Sequence, residues 1–543
     1  MKPKIAVIGL DAATMDLVEP WSASGDLPTL GALMRSGVSA RLASTPNMHS
    51  ASAWTSILTG LNPGRHGLFV FSDRDFETSR QMFFKGSDRR GAAIGEHLAR
   101  HGLTAGFLNV PMTYQAEDLP GGYMVSGLDA PALDERAFSP GGLRQDLLTR
   151  FPEYNFTPPG LGDLMSAGKT DEAVGAWLRL IETQTAAAEY LLTTRPVTFF
   201  MTVYTASDWG GHNLWSHDPA VHGGKRKGGE DGLLTIYRAL DAAIARLLQH
   251  FDEGAQVYII SDHGMGPHSG AAYHLPNWLE RNGYLARRGT SHARASFISS
   301  GKRVAKELLP VSVKAAIKTG LGAKRLKRLQ SAEKDLFYSS IDWARSKAYT
   351  EPGRHVININ LLGRNPSGTV PATEYDQIRD AIAEDLIQWK DDRGVAVVKG
   401  VARREEQYQG PFVERASDMY VYWNPEAELG EPPEEVQARG FWWSGDHRPD
   451  GILICKGPGI RSGEALESAT VHDLLPTVMH LAGLPAPSDV DGRVLQDVCT
   501  QEHRERNPIA LAGEAAGGFS TASALTKEEE ELIEKKLRGL GYL

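Results

Sequence analysis

The sequence predicts an α/β fold. Short apolar runs of five to seven residues alternate along the chain with segments of helical periodicity, and this alternation is typical of α/β proteins. The chain has 543 residues, of which 41% are hydrophobic and 23% are charged. These values are ordinary for a globular protein, and the length allows one large domain with insertions or several smaller ones.

The individual elements follow from the apolar runs and their flanking residues. Strands are predicted at Lys4–Leu10, Ala105–Val110, Val197–Val203, Gln256–Ser261 and Gly451–Gly457. Helices are predicted near Ile94–His101 and at Gly142–Arg150, Thr170–Thr194, Asp231–His250, Ala372–Trp389 and Thr470–Ala482. A further short helix begins at Ser50, as its N-cap or first-turn residue, and stops at Gly60. A charged C-terminal helix is expected to pack through Leu532, Ile533, Leu537 and Leu540.

Composition excludes several classes of protein. A net charge of −9 argues against a dedicated nucleic-acid binder. The two cysteines, Cys455 and Cys499, form no CxxC pair, so a reducing, cytoplasmic location is expected. The apolar run Ile5–Leu10 is too short for a signal peptide, and no run is long enough to predict a membrane span.

One segment differs from the rest in composition. Residues 301–330 contain nine lysines or arginines and one acidic residue. We interpret the surrounding region, 286–340, as a basic helical insertion or lid between two parts of a catalytic core, 1–285 and 341–543. A solvated insertion, a lid over an anionic substrate and a helix that contacts a membrane surface remain alternatives for it.

Three of the predicted strands are each followed within a few residues by an aspartate. These residues are Asp11, Asp208 and Asp262. Because the carboxyl ends of strands in an open α/β sheet form the ligand crevice, we expect the three carboxylates to lie at one site.

Three histidines accompany the aspartates. His263 directly follows Asp262, His212 follows Asp208 by one helical turn, and His447 directly precedes the last predicted strand. Such a set of oxygen and imidazole ligands suits two neighbouring divalent cations, Zn2+ first and Mn2+ as the alternative. Two cations roughly 4 Å apart promote displacement at phosphorus and activate a hydroxyl nucleophile, a role that we assign to Ser50.

Several motifs together resemble the alkaline phosphatase superfamily, and within it the bacterial type I phosphodiesterase/nucleotide pyrophosphatase family. They are "VIGLDAA", "SASAWTSILTGLNPGRHG", "NVPMTY", "SDWGGHNLW", "SDHGMG" and "GDHRPDGILICKGPGI", in the order of that family. The resemblance covers most of the chain but not residues 301–330. It implies a three-layer α/β/α sandwich with a mostly parallel central sheet and an inserted cap or lid region.

The resemblance also implies roles for individual residues. One metal site would comprise Asp208, His212 and His447, and the other Asp11, Asp262 and His263, with Ser50 as a further metal ligand that bridges toward this second site. The nucleophile of the family stands nine residues before the threonine of a "TG" pair, which selects Ser50 over Ser52 and Thr45. The resemblance further implies a covalent phospho-serine intermediate, which a metal-bound water then hydrolyses.

The function predicted is therefore a phosphodiesterase or nucleotide pyrophosphatase that acts on a nucleotide or another small phosphodiester. Asn47, His49 and Trp54 are candidate substrate contacts, and Trp209, Trp215, Trp442 and Trp443 are candidates either for base stacking or for packing. A phosphomonoesterase, a phospholipid-headgroup or phosphonate hydrolase, and a non-catalytic scaffold are the alternatives. The phosphate-clamping arginine of alkaline phosphatases is not found by motif, which favours a diesterase.

Overall fold

The computed structural model describes residues 4–75, 80–215, 232–288, 337–430, 433, 444–513 and 524–540. The basic segment 301–330 and the tryptophans at 442 and 443 lie outside the described residues.

A nine-stranded sheet forms the centre of the protein. Its strands run, from edge to edge, Glu464–Thr470, Val38–Ala43, Asp450–Lys456, Gln256–Ile260, Ile5–Leu10, Phe199–Tyr204, Ala105–Val110, Tyr123–Ser126 and Phe138–Ser139. Most neighbouring pairs are parallel, and the strand Asp450–Lys456 is antiparallel to both of its neighbours. The predicted mostly parallel sheet is confirmed.

Hydrophobic cores cover both faces of this sheet. In the central strand, Ala6, Ile8 and Leu10 join one core, whereas Ile5 and Val7 join the other, because successive side chains point to opposite faces. The first core contains the helices Met15–Ser24, Pro28–Ser36, Leu143–Arg150, Leu161–Ser166, Thr170–Thr194, Gly232–Leu248 and Lys527–Leu540. The second contains the helices Ser50–Thr59, Ile94–Arg100 and Leu474–Leu481. The architecture is the expected α/β/α sandwich.

A second, smaller lobe has its own core. Its antiparallel sheet consists of Ala348–Tyr349, Val356–Ile359, Met419–Trp423 and Val398–Arg403, packed with the helices Ala271–Arg281 and Tyr375–Ile387. The sequence interpretation placed all of 341–543 in the catalytic core. Within that range, the described residues 341–429 contribute to the core of this lobe, and the division of the chain into domains stays a prediction.

Shorter elements complete the described chain. They are the helices Pro63–His66, Ala206–Leu214, Arg404–Gln407 and Gln501–Arg506, and the strands Ser72–Asp75, Arg80–Phe83, Gly264–Pro267, Gly445–Arg448, Ala486–Pro487 and Leu511–Ala512. Single 3-10 turns occur at Gly86–Asp88, Glu135–Ala137, Ala372–Glu374, Val413–Arg415, Val471–Asp473 and Gln496–Val498.

The C-terminal helix Lys527–Leu540 packs as predicted through Ile533, Leu537 and Leu540. The expectation for Leu532 is wrong, since its side chain is 43% exposed. None of the helices in the described ranges has the length and apolarity needed to span a membrane.

Candidate active site

The three aspartates lie at one edge of the central sheet. Asp11 directly follows the strand Ile5–Leu10, which is parallel to both Phe199–Tyr204 and Gln256–Ile260. Asp262 comes two residues after the second neighbour, and Asp208 lies in the first turn of the helix that follows the first. Since parallel strands end at the same edge, their carboxyl ends bring the three carboxylates together.

The helix Ser50–Thr59 presents Ser50 to this edge. Its N-cap is His49, whose Nδ1 accepts the backbone N–H of Ala51 at 3.2 Å, and it stops at Gly60 with φ 67°. Ser50 is therefore the first helical residue and not the cap. Its Oγ lies 3.5 Å from Oδ1 of Asp11 and 3.2 Å from Nε2 of His263.

Asp11, Asp262 and His263 form the first group of potential ligands. Nε2 of His263 lies 3.2 Å from Oδ2 of Asp262 and 3.7 Å from Oδ1 of Asp11. The other carboxylate oxygens are held by N–H groups: the Trp54 indole donates to Asp11 at 3.1 Å, and the Ala12 backbone donates to Asp262 at 3.2 Å. Each aspartate thus has one oxygen fixed by the protein and the other directed toward His263.

Asp208, His212 and His447 form the second group. Oδ1 of Asp208 is 3.3 Å from Nε2 of His212, as expected for residues one helical turn apart, and 3.3 Å from Nε2 of His447. The two Nε2 atoms are 2.9 Å apart. The groups are neighbours, because potential ligand atoms of Asp208, His263 and His447 all lie within 4.8 Å of one another.

Backbone carbonyls orient all three histidines. Nδ1 lies 3.0 Å from the Gly445 oxygen in His212, 3.1 Å from the Gly264 oxygen in His263 and 2.6 Å from the Met48 oxygen in His447. A carbonyl oxygen only accepts hydrogen bonds, so Nδ1 carries the proton in each ring. The lone pair of each neutral imidazole is then on Nε2, directed at the carboxylates, which is the arrangement of histidine ligands to metals.

Two local backbone features position the carbonyls that accept hydrogen bonds from His447 and His212. Met48 has φ 47°, a conformation that side chains rarely adopt, and its carbonyl is the one that accepts from His447. Gly445 approaches the helix Ala206–Leu214 so closely that a Cβ on it would lie 2.2 Å from the Gly211 oxygen. Only glycine allows this approach.

The electrostatics of the site require positive charge. Burial, together with the charges of Asp262 and Asp208, raises the pKa of Asp11 well above its usual range. Burial also raises the pKa of Asp262 to about 7. Burial opposes protonation of His212, but the adjacent Asp208 carboxylate outweighs it and raises the pKa of His212.

The residues present fit divalent cations. Three buried carboxylates and three Nε2 lone pairs face one another at distances of 2.9 to 3.7 Å. Acceptors at such distances repel one another unless a proton or a metal ion lies between them. Mixed carboxylate and imidazole donors suit Zn2+ or Mn2+.

The structure changes the interpretation of the aromatic candidates. Trp54 is 0% exposed and donates to Asp11, so it positions a carboxylate and presents no surface to a substrate. Trp209 and Trp215 are buried as well, which favours packing over base stacking. A substrate contact through Trp54 stays a prediction, and the complete burial of this side chain disfavours it.

Asn47 and His49 are partly exposed beside Ser50. Nδ2 of Asn47 donates to the Phe69 carbonyl at 2.6 Å, and its Oδ1 accepts from Ser52 at 2.8 Å, so this amide braces the loop. Burial lowers the pKa of His49 well below its usual value, and Arg354 and His447 act in the same direction. A substrate contact by either residue stays a prediction.

Sequence reasoning missed a link between the two lobes. Asp446, next to His447, lies 3.1 Å from Nε2 of His355, which directly precedes a strand of the smaller lobe. Its position beside a candidate ligand in "GDHRPDG" was the only signal available. Sequence reasoning also missed the contact between the Met48 carbonyl and His447, which no sequence pattern predicts.

Comparisons with known proteins agree with this geometry. The family model described as type I phosphodiesterase/nucleotide pyrophosphatase matches residues 5–449. No curated protein matches the chain at the sequence level.

Among solved structures, murine ectonucleotide pyrophosphatase/phosphodiesterase 5, an inactive variant in complex with AMP, has a TM-score of 0.50 and 13% identity. The similarity covers 92% of this chain and 100% of that one. A variant of alkaline phosphatase PafA has a TM-score of 0.51 and 15% identity, over 92% of this chain and 99% of that one. At these identities the solved structures support the fold, and the family match shows that the chain belongs to the type I phosphodiesterase/nucleotide pyrophosphatase family of phosphoric ester hydrolases.

Proposed function

We propose that this family member is a two-metal phosphodiesterase or nucleotide pyrophosphatase that uses Ser50 as its nucleophile. The observation that carries the proposal is the common orientation of His212, His263 and His447. A backbone carbonyl accepts from Nδ1 of each ring, so the three Nε2 lone pairs are directed at Asp11, Asp208 and Asp262 beside the Ser50 hydroxyl.

Asp208, His212 and His447 would hold one cation, and Asp11, Asp262 and His263 the other. His263 lies within reach of both groups, so the assignment of this residue to one cation rests on the family pattern. Zn2+ is the first choice and Mn2+ the alternative. When bound, the cations supply Lewis acidity that lowers the pKa of a serine hydroxyl and neutralises charge on the phosphoryl oxygens.

Ser50 gives up its hydroxyl proton to water and attacks phosphorus through Oγ while the bond between phosphorus and the leaving oxygen breaks. The leaving oxygen keeps the electron pair of that bond and takes a proton from water. The resulting phospho-serine is then hydrolysed by water, which restores the hydroxyl. The contacts to Asp11 and His263 hold Oγ in one place before the attack. The helix that begins at Ser50 directs its positive end at the phosphoryl group, which stabilises negative charge there.

A small phosphodiester or a nucleotide is the substrate class that we propose. The family match supports this class, and a murine protein of the same fold has been crystallised with AMP. In this chain the partly exposed side chains next to Ser50 are those of Asn47 and His49, and we place the route of the substrate on their side.

Substitution of two neighbouring serines tests the nucleophile. Ser50→Ala should abolish turnover of bis-p-nitrophenyl phosphate and leave folding and metal content unchanged. Ser52→Ala is the matched control, since Ser52 Oγ is engaged 2.8 Å from both Asn47 Oδ1 and the His49 carbonyl. Retention of near wild-type rates by Ser50→Ala would contradict the proposal.

A phosphomonoesterase is the alternative within the same superfamily. The ratio of turnover on bis- and mono-p-nitrophenyl phosphate, measured with Zn2+ and again with Mn2+, separates the two activities. We expect the diester to be the better substrate.

A further inference from the structure

A second group of soft and borderline ligands lies outside the active site. Potential ligand atoms of His480, Cys499 and His503 lie within 4.8 Å of one another. His480 is near the end of the helix Leu474–Leu481, Cys499 lies two residues before the helix Gln501–Arg506, and His503 lies within that helix. Cys499 is a free cysteine and is 0% exposed, and His480 is buried. The rings of the two histidines are 5.3 Å apart and nearly perpendicular, at 88°.

This group is far from the catalytic carboxylates. The side chain of Gln256 donates to the Leu481 carbonyl at 2.6 Å, so His480 lies near the amino end of the strand Gln256–Ile260. Asp262 follows the carboxyl end of the same strand. At about 3.3 Å per residue, the two ends of this segment are roughly 20 Å apart.

The polar contacts of His503 point to a missing ligand. Nε2 of His503 is buried and has no hydrogen-bond partner within the described ranges of the chain, a costly arrangement for an imidazole nitrogen. The His503 ring packs closely against Gly459, because a Cβ on this glycine would lie only 2.4 Å from Nδ1 of the ring. The Cys499 thiol donates to the Leu495 carbonyl at 3.9 Å, which is a weak contact.

We propose that His480, Cys499 and His503 bind a Zn2+ ion that joins the helix Leu474–Leu481 to the turn before Gln501–Arg506. One thiolate and two imidazoles are a ligand set that zinc prefers, with a fourth position left for water. For Nε2 of His503 to be the ligand, its Nδ1 must carry the proton. The amide nitrogen of Asn507 lies 3.3 Å from Nδ1 and donates to the His503 carbonyl at 3.2 Å, so the amide would give up this hydrogen bond and turn its oxygen toward the Nδ1 proton when the ion binds.

Binding exchanges a proton for the metal ion. Burial raises the pKa of Cys499, so the thiol is protonated in the metal-free protein. Coordination of a divalent ion displaces this proton to solvent, and the sulfur keeps the electron pair that forms the bond to the metal.

Cobalt substitution of the full-length protein tests the site separately from the catalytic centre. A thiolate bound to Co2+ gives a strong charge-transfer absorption in the near ultraviolet, and the catalytic groups contain only oxygen and nitrogen donors. We expect this band in the wild-type protein and in Cys455→Ser, the matched control at the other buried cysteine. Cys499→Ser should lack the band.

Metal analysis provides the second measurement. Cys499→Ser should hold one equivalent of Zn2+ less than the wild type and keep its phosphodiesterase rate. His503→Asn should show the same loss, and since its side chain is only partly buried it keeps the test valid should Cys499→Ser fail to fold. Absence of the band in the wild type, or unchanged zinc content in His503→Asn, would overturn the proposal. The result does not depend on the identity of the nucleophile.

Discussion

Trp54 offers a direct test of the site, since the sequence and the structure assign it different roles. Its indole N–H donates to Asp11 at 3.1 Å, and both side chains are fully buried. Trp54→Phe keeps an aromatic ring and removes this one donor. A hydrogen bond to a charged group contributes about 1.5 to 3 kcal/mol. Its loss corresponds to a factor of about 10 to 150 in an equilibrium constant, since each 1.4 kcal/mol is a factor of ten.

We expect this loss in the metal affinity of the site, because hydrogen bonds to ligands typically change affinity about 10- to 100-fold. Zinc affinity is measured by competition with a chelator, and kcat/KM is measured on several diesters. Trp215→Phe is the matched control: this tryptophan is also buried, but its Nε1 has no hydrogen-bond partner among the described residues. If Trp54→Phe binds zinc as tightly as Trp215→Phe and only the KM for nucleotides changes, Trp54 contacts the substrate and the positioning role is refuted.

Three further substitutions have defined outcomes. Gly9→Ala would place a Cβ 2.4 Å from the Trp54 ring, so overpacking should lower the free energy of unfolding by about 1 to 3 kcal/mol in denaturant titrations; an unchanged midpoint would contradict this. His355→Ala removes one of the partners of the buried Asp446 carboxylate, which also lies near His268. We expect lower kcat together with a loss of about 1 kcal/mol, read from kinetics and thermal unfolding. Burial lowers the pKa of Lys536 to about 8 from 10.5. Between pH 8 and 10.5 this lysine is therefore deprotonated in the folded protein but still protonated in the unfolded chain. Relative to Lys536→Met, the unfolding free energy of the wild type should therefore rise by up to about 3 kcal/mol across that window, and a constant difference would refute the shift.

The clustering of the candidate site residues was predictable because strand ends can be read from the sequence. Asp11 and Asp262 follow apolar runs directly or within two residues, and the edge at which parallel strands end is common to all of them. The helix Thr170–Thr194 was predicted to the residue, because 25 residues of helical periodicity leave little ambiguity. Long periodic segments and strand-terminal acids are therefore the features that the sequence determines best.

The smaller lobe and the supporting contacts were not predictable. Its strand Ala348–Tyr349 has two residues, and Val356–Ile359 has four, too few to show a period. The cap of the nucleophile helix is His49, a residue that is not favoured at that position, and it caps through a ring nitrogen. The group of His480, Cys499 and His503 has no recognisable spacing, since a turn and a helix end bring it together. These features depend on tertiary contacts that no local pattern encodes.

The charge of the site bears on the choice between a diester and a monoester. Asp11, Asp208 and Asp262 carry three negative charges when ionised, and two divalent cations carry four positive charges. With two divalent cations bound as proposed and Ser50 still protonated, the ligand shell would have a net charge of +1, which matches the single charge of a phosphodiester. A monoester dianion needs a further cationic group, and Arg448, the guanidinium next to His447, is engaged by the carbonyls of His447 and Pro267. The second charge of a monoester would stay unpaired in a buried site of low dielectric, which is costly. The balance therefore favours the diester, and a higher turnover on the mono- than on the bis-p-nitrophenyl ester would show that another cation completes the site.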